Sequence, residues 1–291
     1  MWYFLYVKGQ NIFKRGLTVK LKKRLTATLL GLTGLLSISA ITYGRGVNVI
    51  PFPEGYDTTS SGASAYNGIG NVKDSAYFPV FDFYNMKSTD TLTLLPKFKT
   101  YQQTTEYTCG PATALMVLNH FGETAYDELE IADVMNCNTD LNYSNKQNPG
   151  LADERGEFGT STSGMVHFFE EIGWDVKSSL TEADETGYTF ETPEQFKDFV
   201  LETLNDNAPI MVENIDFGGH WRAIIGYDTM GTEDVISDDV LIMADAYDTS
   251  DHLQDGYNYV NAERFFYMWF DSHILPETQK QQQWLVAKPS K

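Results

Sequence analysis

Beyond residue 100 the apolar positions of the chain change period once, from helical spacing to short strand-length runs. Ala112, Leu115, Met116 and Asn119 follow Cys109-Gly110-Pro111 at helical spacing, and Gly122 stands where a helix commonly ends. Tyr126 to Val134 reads as a second helix with Glu128 and Glu130 on its outer face. Gly159-Thr-Ser-Thr-Ser163 supplies hydroxyl caps ahead of a helix over Met165 to Ile172 that stops at Gly173. Thr192-Pro-Glu-Gln195, with proline in the first turn and Gln195 at the capping-box position, opens another over Phe196 to Leu204. Aliphatic and aromatic runs then predict strands at Pro209 to Glu213, Trp221 to Tyr227, Val240 to Ala244 and Trp284 to Ala287. Helices followed by antiparallel strands make an α+β fold, with N-terminal helices packed on the sheet.

Upstream the periodicity is lost. Residues 46–95 are rich in Ser, Gly, Thr, Asp and Tyr and read as a linker or loosely ordered segment, with a propeptide as the alternative. The compact domain is therefore expected over 96–291. At the front, Lys20-Leu-Lys-Lys-Arg24 precedes an apolar, small-residue stretch from Leu25 to Thr42, so residues 1–45 read as a secretory signal peptide or an uncleaved membrane anchor. Either reading puts the domain outside the cytosol, and the second attaches it to a membrane. Residues 1–18 precede the basic run awkwardly, and a product starting near Val19 would remove them. No internal repeat is visible, which speaks against a solenoid.

Charge narrows the function further. The first 45 residues hold eight of the 21 basic residues and none of the 40 acidic ones, so the remainder carries 13 basic against 40 acidic residues. Such acidity argues against nucleic acid as a partner. A chain of 291 residues with 42% hydrophobic content can bury a full core of one or two domains.

Candidate chemistry centres on Cys109, in Gln103-Thr-Thr-Glu-Tyr-Thr-Cys109-Gly-Pro-Ala. A helix N-terminus favours negative charge, so a cysteine placed there favours the thiolate, the nucleophilic form. The later strands carry Gly218-Gly-His220-Trp and Ala244-Asp245-Ala. A hairpin that pairs His220 with Asp245 turns within Thr229 to Ser237 and sets the two about 5 Å apart at Cα. Histidine would then take the thiol proton while the carboxylate fixes the ring tautomer. Asp228 lies about 27 Å along the same strand at about 3.3 Å per residue and is excluded as the orienting group, whereas Asp248 remains an alternative. The Gln103 amide, with the Cys109 N–H, suits a developing oxyanion, and Trp221 is placed to shield the imidazole. The bland alternative is a disulfide between Cys109 and Cys137, the latter in a polar loop after the second helix. His120, His167, His252 and His273 lack a comparable setting. Asp248, Asp251 and Asp255 with His252 match no calcium loop and read as a solvated acidic loop, so no metal or other cofactor is expected. Asn142-Tyr-Ser144 fits a glycosylation triplet.

Over roughly Tyr101 to Ala287 the chain resembles the C39-like family of papain-like cysteine peptidases. The residues that carry the resemblance are Gln103 with Cys109-Gly-Pro-Ala, Gly159-Thr-Ser, Gly219-His220-Trp with Gly226-Tyr-Asp228, and Ala244-Asp245-Ala. It implies a papain-like α+β fold, a peptide or protein substrate, and hydrolysis through an acyl-enzyme on Cys109 with His220, Asp245 and Gln103 in support. Within the same fold, Cys109-Gly-Pro-Ala-Thr-Ala-Leu-Met-Val-Leu-Asn119 is also similar to phytochelatin-synthase-like transpeptidases, which transfer a γ-glutamylcysteine unit. A third reading is an inactive domain that binds peptides or cell-wall material.

Overall fold

Polar caps set the helix boundaries close to where the sequence places them. The computed structural model describes residues 47–66, 76–137, 159–232, 235–249, 253–271 and 280–290. Helix α1 (Cys109–His120) begins at the sulfur-bearing residue itself. In α2 (Glu128–Met135) the Asp127 carboxylate accepts from the Leu129 and Glu130 N–H groups while Glu130 reaches back, a complete capping box. Ser161 caps α3 (Thr162–Glu171) by accepting from the Gly164 N–H. After the short α4 (Ser179–Glu182), α5 (Pro193–Asn205) is capped by Thr192, which accepts from the Gln195 N–H. The Gln195 side chain takes the N–H of Glu191 instead of that of Thr192, so the box expected there is only half formed. A last helix, α6, spans Ala262–Tyr267.

Among the described residues seven strands form one sheet: β1 (Leu92–Leu94), β2 (Trp174–Ser178), β3 (Ile210–Asn214), β4 (His220–Asp228), β5 (Val240–Asp245), β6 (Tyr257–Asn261) and β7 (Gln283–Pro289). Their order is β2-β7-β3-β4-β5-β6, with β1 pairing β4, and every pairing among them is antiparallel. The four strands expected from apolar runs are β3, β4, β5 and β7. Helix α1 packs on β4, and it is buried on all sides from Cys109 to Leu118, as a helix without a polar face must be. Two side-chain bonds fix its placement: the Thr113 hydroxyl donates to the Trp221 carbonyl at 3.1 Å, and the Trp221 indole N–H donates to the Thr160 carbonyl at 2.7 Å. Burying each large apolar side chain of this layer contributes about 1.5–3 kcal/mol.

The β4–β5 register differs from the expected one. Next to the turn Asp228 pairs with Val240, three residues beyond its expected partner, and a bulge between Ile224 and Gly226 takes back one. Asp245 therefore lies opposite Arg222. The error is an even number, so His220 and Asp245 still project from the same face and meet on the diagonal.

Residues 47–66 and 76–95 are not a linker held apart from the domain. Val49 bridges Thr100 in parallel, the Ile50 N–H donates to the Thr100 carbonyl at 2.8 Å, and Ile50 is buried. The Tyr56 hydroxyl donates to Asp127 at 2.6 Å, and β1 belongs to the sheet. The Asp and Thr content that suggested a loose segment serves tight turns, with Asp57 accepting from the Thr59 N–H and Asp82 from the Asn85 N–H. Residues 1–45, the Asn142 triplet, Asp251, His252 and His273 lie outside the described residues. Among the described residues no helix is long and apolar enough to cross a membrane.

Candidate active site

Cys109 is buried at the first turn of α1. Its neighbour must be glycine: a Cβ on Gly110 would stand 2.7 Å from both Cβ and Oγ1 of Thr160. Thr160 in turn contacts Cys137, whose Sγ lies 2.5 Å from the Thr160 hydroxyl. Cys137, just past the end of α2, is buried, and burial pushes its thiol up from the ordinary range. Both cysteines are free thiols, so the disulfide alternative does not describe this structure.

His220 opens β4 and is buried, with its Nε2 2.7 Å from Oδ1 of Asp245. That contact occupies one ring nitrogen, and Cys109 stands near enough to the imidazole to add to its basicity. Burial lowers the basicity of His220, but the charge and hydrogen bond of Asp245, together with Cys109, outweigh it and raise the pKa to about 10. Asp245 is held near 2: burial pushes it upward, and His220, the nearby Arg222 guanidinium and the Tyr247 N–H pull it down. It also accepts from Asn258 Nδ2 at 2.8 Å. Arg222 is anchored by Asn214 and Asp216, at 2.8 and 2.7 Å. Asp248, the alternative partner, is buried and accepts from the Gly256 N–H, so it braces a turn and is not part of a solvated loop. Asp228 accepts from the Met230 N–H at the far end of β4.

Trp221 does not cover the imidazole. Adjacent residues of a strand face opposite ways, so it packs toward Thr160 and α1. Tyr247 takes that place, its ring edge-on to His220 with centroids 6.5 Å apart and its hydroxyl donating to Glu106 at 2.9 Å.

Gln103 is buried on the loop that leads into α1. Its N–H donates to the Ala246 carbonyl at 3.0 Å, which ties the loop to the residue after Asp245. One hydrogen of its side-chain amide goes to the Thr105 carbonyl at 2.8 Å, and the amide carries a second. Glu128, expected on the outer face of α2, is wholly buried beneath this loop. Burial pushes its carboxyl upward against hydrogen bonds from Thr108, Thr104 and Tyr101 that lower it.

Over the loop lies a strap from the upstream segment. The Ser64 N–H donates to the Gln103 carbonyl at 3.1 Å, the Gly62 N–H to Glu106 at 3.1 Å, and the ring of Tyr66 faces that of Tyr247 at 6.4 Å. Gly62 has φ +67°, and a Cβ there would fall 2.5 Å from the Gln103 carbonyl oxygen and 2.6 Å from Thr104 C. Gly62→Ala is therefore expected to destabilise the fold by about 1–3 kcal/mol. Urea denaturation checks this, and an unchanged midpoint would mean that the strap does not sit so close.

Sequence reasoning also missed Glu213 and Asp271. Both are buried, and their carboxyl oxygens converge on Gly219, at 2.9 and 3.3 Å from where a Cβ would stand. Burial and the neighbouring Asp271 push the Glu213 carboxyl well above its ordinary range. Glu213 follows the apolar run Ile210 to Val212 at the end of β3, where a charged residue ordinarily marks the exit of a strand to solvent. Of the remaining histidines, His120 is tilted against Phe98, edge-on to Phe121 and bonded to the Asn207 carbonyl, and His167 lies within α3.

The arrangement suits nucleophilic attack by sulfur: a thiol at a helix start, an imidazole with a buried carboxylate behind it, and amide donors on the adjoining loop. The family model described as peptidase C39 like matches residues 96–269. Among solved structures, the peptidase domain of Streptococcus ComA, a bi-functional ABC transporter involved in a quorum sensing pathway, is similar over 66% of this chain and 99% of that one. Its sequence identity is 17% and its TM-score 0.38. No curated protein matches the chain.

Proposed function

This chain belongs to the peptidase C39 like family, and on that premise we propose that it hydrolyses peptide bonds with Cys109 as nucleophile, His220 as proton carrier and Asp245 as the group that orients His220. The α+β architecture is the papain-like one that the family resemblance implies. The observation that carries the proposal is the 2.7 Å His220–Asp245 contact, buried and adjoining a cysteine at a helix start.

In the proposed reaction His220 takes the Cys109 proton and the sulfur adds to the scissile carbonyl carbon. The carbonyl oxygen, now negative, is received by the Cys109 N–H and the second hydrogen of the Gln103 amide. As the tetrahedral adduct collapses, the C–N bond breaks, the amine leaves with the proton from His220, and a thioester remains. Water attacks the thioester with His220 again accepting a proton, the acid departs, and the thiol is restored. Preorganised donors of this kind are worth about 10²–10³ in rate.

Location is part of the proposal: the basic run and apolar stretch within residues 1–45 support an exported or membrane-tethered enzyme. The test of activity uses the full chain and a randomised fluorogenic peptide pool. Cys109→Ala is expected to abolish cleavage, while Cys137→Ala keeps at least about half of it, since Cys137 is bonded to Thr160 and takes no step in the proposed reaction. Cleavage that survives in Cys109→Ala would remove the proposal.

A further inference from the structure

Resting on the peptidase reading above, we infer that Glu128 is a positioning residue for oxyanion binding: it holds the Gln103 loop and draws the Thr108 hydroxyl away from the end of α1. Its carboxylate takes four hydrogen bonds from one short stretch of chain. Oε1 accepts from the Thr104 N–H at 2.8 Å and the Thr108 hydroxyl at 2.5 Å; Oε2 accepts from the Thr104 hydroxyl at 2.8 Å and the Tyr101 hydroxyl at 2.9 Å. The residues so held flank Gln103, whose own N–H is bonded to Ala246. The amide that would meet the oxyanion is therefore clamped from α2 on one side and from β5 on the other.

Thr108 supplies the second part of the argument. A threonine at the N-cap ordinarily folds its hydroxyl back onto an N–H of the first helical turn. Here the hydroxyl donates to Glu128 and accepts from the Thr105 hydroxyl, and α1 has no side-chain cap at Thr108. The N–H end of the helix beside Cys109 is thus kept for a developing negative charge. Glu128 itself is the first residue of α2, where the helix dipole favours its anion.

The test compares Glu128→Ala, Glu128→Gln and the double variant Glu128→Ala/Thr108→Val in the full chain. One readout is kcat and KM on a peptide selected from the pool. A second is inhibition by the peptide aldehyde acetyl-Leu-Leu-argininal, whose adduct places an oxygen in the oxyanion position. The third is the rate of Cys109 alkylation by iodoacetamide, a reaction that forms no oxyanion. For Glu128→Ala, kcat should fall about 30-fold and aldehyde binding weaken about tenfold, with KM and alkylation within about twofold of wild type, because donors are misplaced and not removed. Glu128→Gln should recover most of the loss, since its carbonyl can keep the Thr104 N–H and its amide faces hydroxyls able to accept. Adding Thr108→Val should restore part of the activity of Glu128→Ala, because no hydroxyl remains to cap the helix. If Glu128→Ala does not fold, Glu128→Asp, one methylene shorter, carries the same expectation.

An unchanged kcat per folded molecule would overturn the inference. So would alkylation slowed as much as kcat, which would place the effect on the thiol. The peptidase reading fails separately, through wild-type alkylation of Cys109 that does not depend on His220.

Discussion

His220→Ala is expected to lower kcat/KM for peptide cleavage by about 10³-fold, within the range usual for loss of a general acid–base group. The same change should slow iodoacetamide alkylation of Cys109 most strongly near neutral pH, where the wild-type imidazole still holds its proton beside the sulfur. The fold should survive. Asp245 keeps the Tyr247 N–H, Asn258 and the neighbouring Arg222, so its buried charge is not abandoned. Stopped-flow alkylation across pH 5 to 11, with thermal melting as control, checks both points. A loss under tenfold would mean that another group carries the proton.

Asp245→Asn should have the second largest effect, a fall of about 10²-fold in kcat/KM with a loss of about 3 kcal/mol in stability, since it breaks a buried ion pair. The pH dependence is more telling. His220 is raised on folding from 6.5 to about 10, so its contribution to stability is full below 6.5 and is lost as pH rises through about 10. Asp245 is depressed from 3.8 to about 2, so its contribution is present above 3.8 and lost as pH falls through about 2. Asparagine removes the charge that lifts His220 against its burial. The alkaline limb of activity should move from about 10 toward neutrality, and the decline in stability between pH 6.5 and 10 should flatten. An alkaline limb that stays in place would show that Asp245 does not govern the imidazole.

Much of the architecture was legible because caps and runs are local. Ser161 and Thr192 announce helices within three residues of where each begins, and four apolar runs of strand length announce β3, β4, β5 and β7. The strands that escaped lack such signals: β1 is three residues long, β2 alternates half-buried with exposed positions, and β6 buries only its first residue. Cys109, His220 and Asp245 could be grouped on paper because one hairpin joins two of them. The register error came from the late turn and from the bulge beside Gly226, where β1 lies so close that a Cβ would meet Leu94 Cδ1 at 2.7 Å. Glu128 was misplaced for a different reason. A charged residue at a helix start is ordinarily solvated, and only the tertiary path of residues 101–108 reveals the donors that bury it. Glu213 and the covering of the site by Tyr66 and Tyr247 are equally non-local.

The strap of Gly62 to Tyr66 divides the site between two stretches of chain with different histories open to them. The reacting atoms lie within residues 96–269, the part that matches the family, but Tyr66 and the peptide over Gln103 come from upstream of it. Selection acting on that upstream stretch can reshape the covering of Gln103 and Tyr247 without touching the residues proposed to perform the chemistry. The boundary of the family likeness is therefore not the boundary of the working unit, and divergence in substrate choice has a place to occur that leaves the reaction itself unchanged.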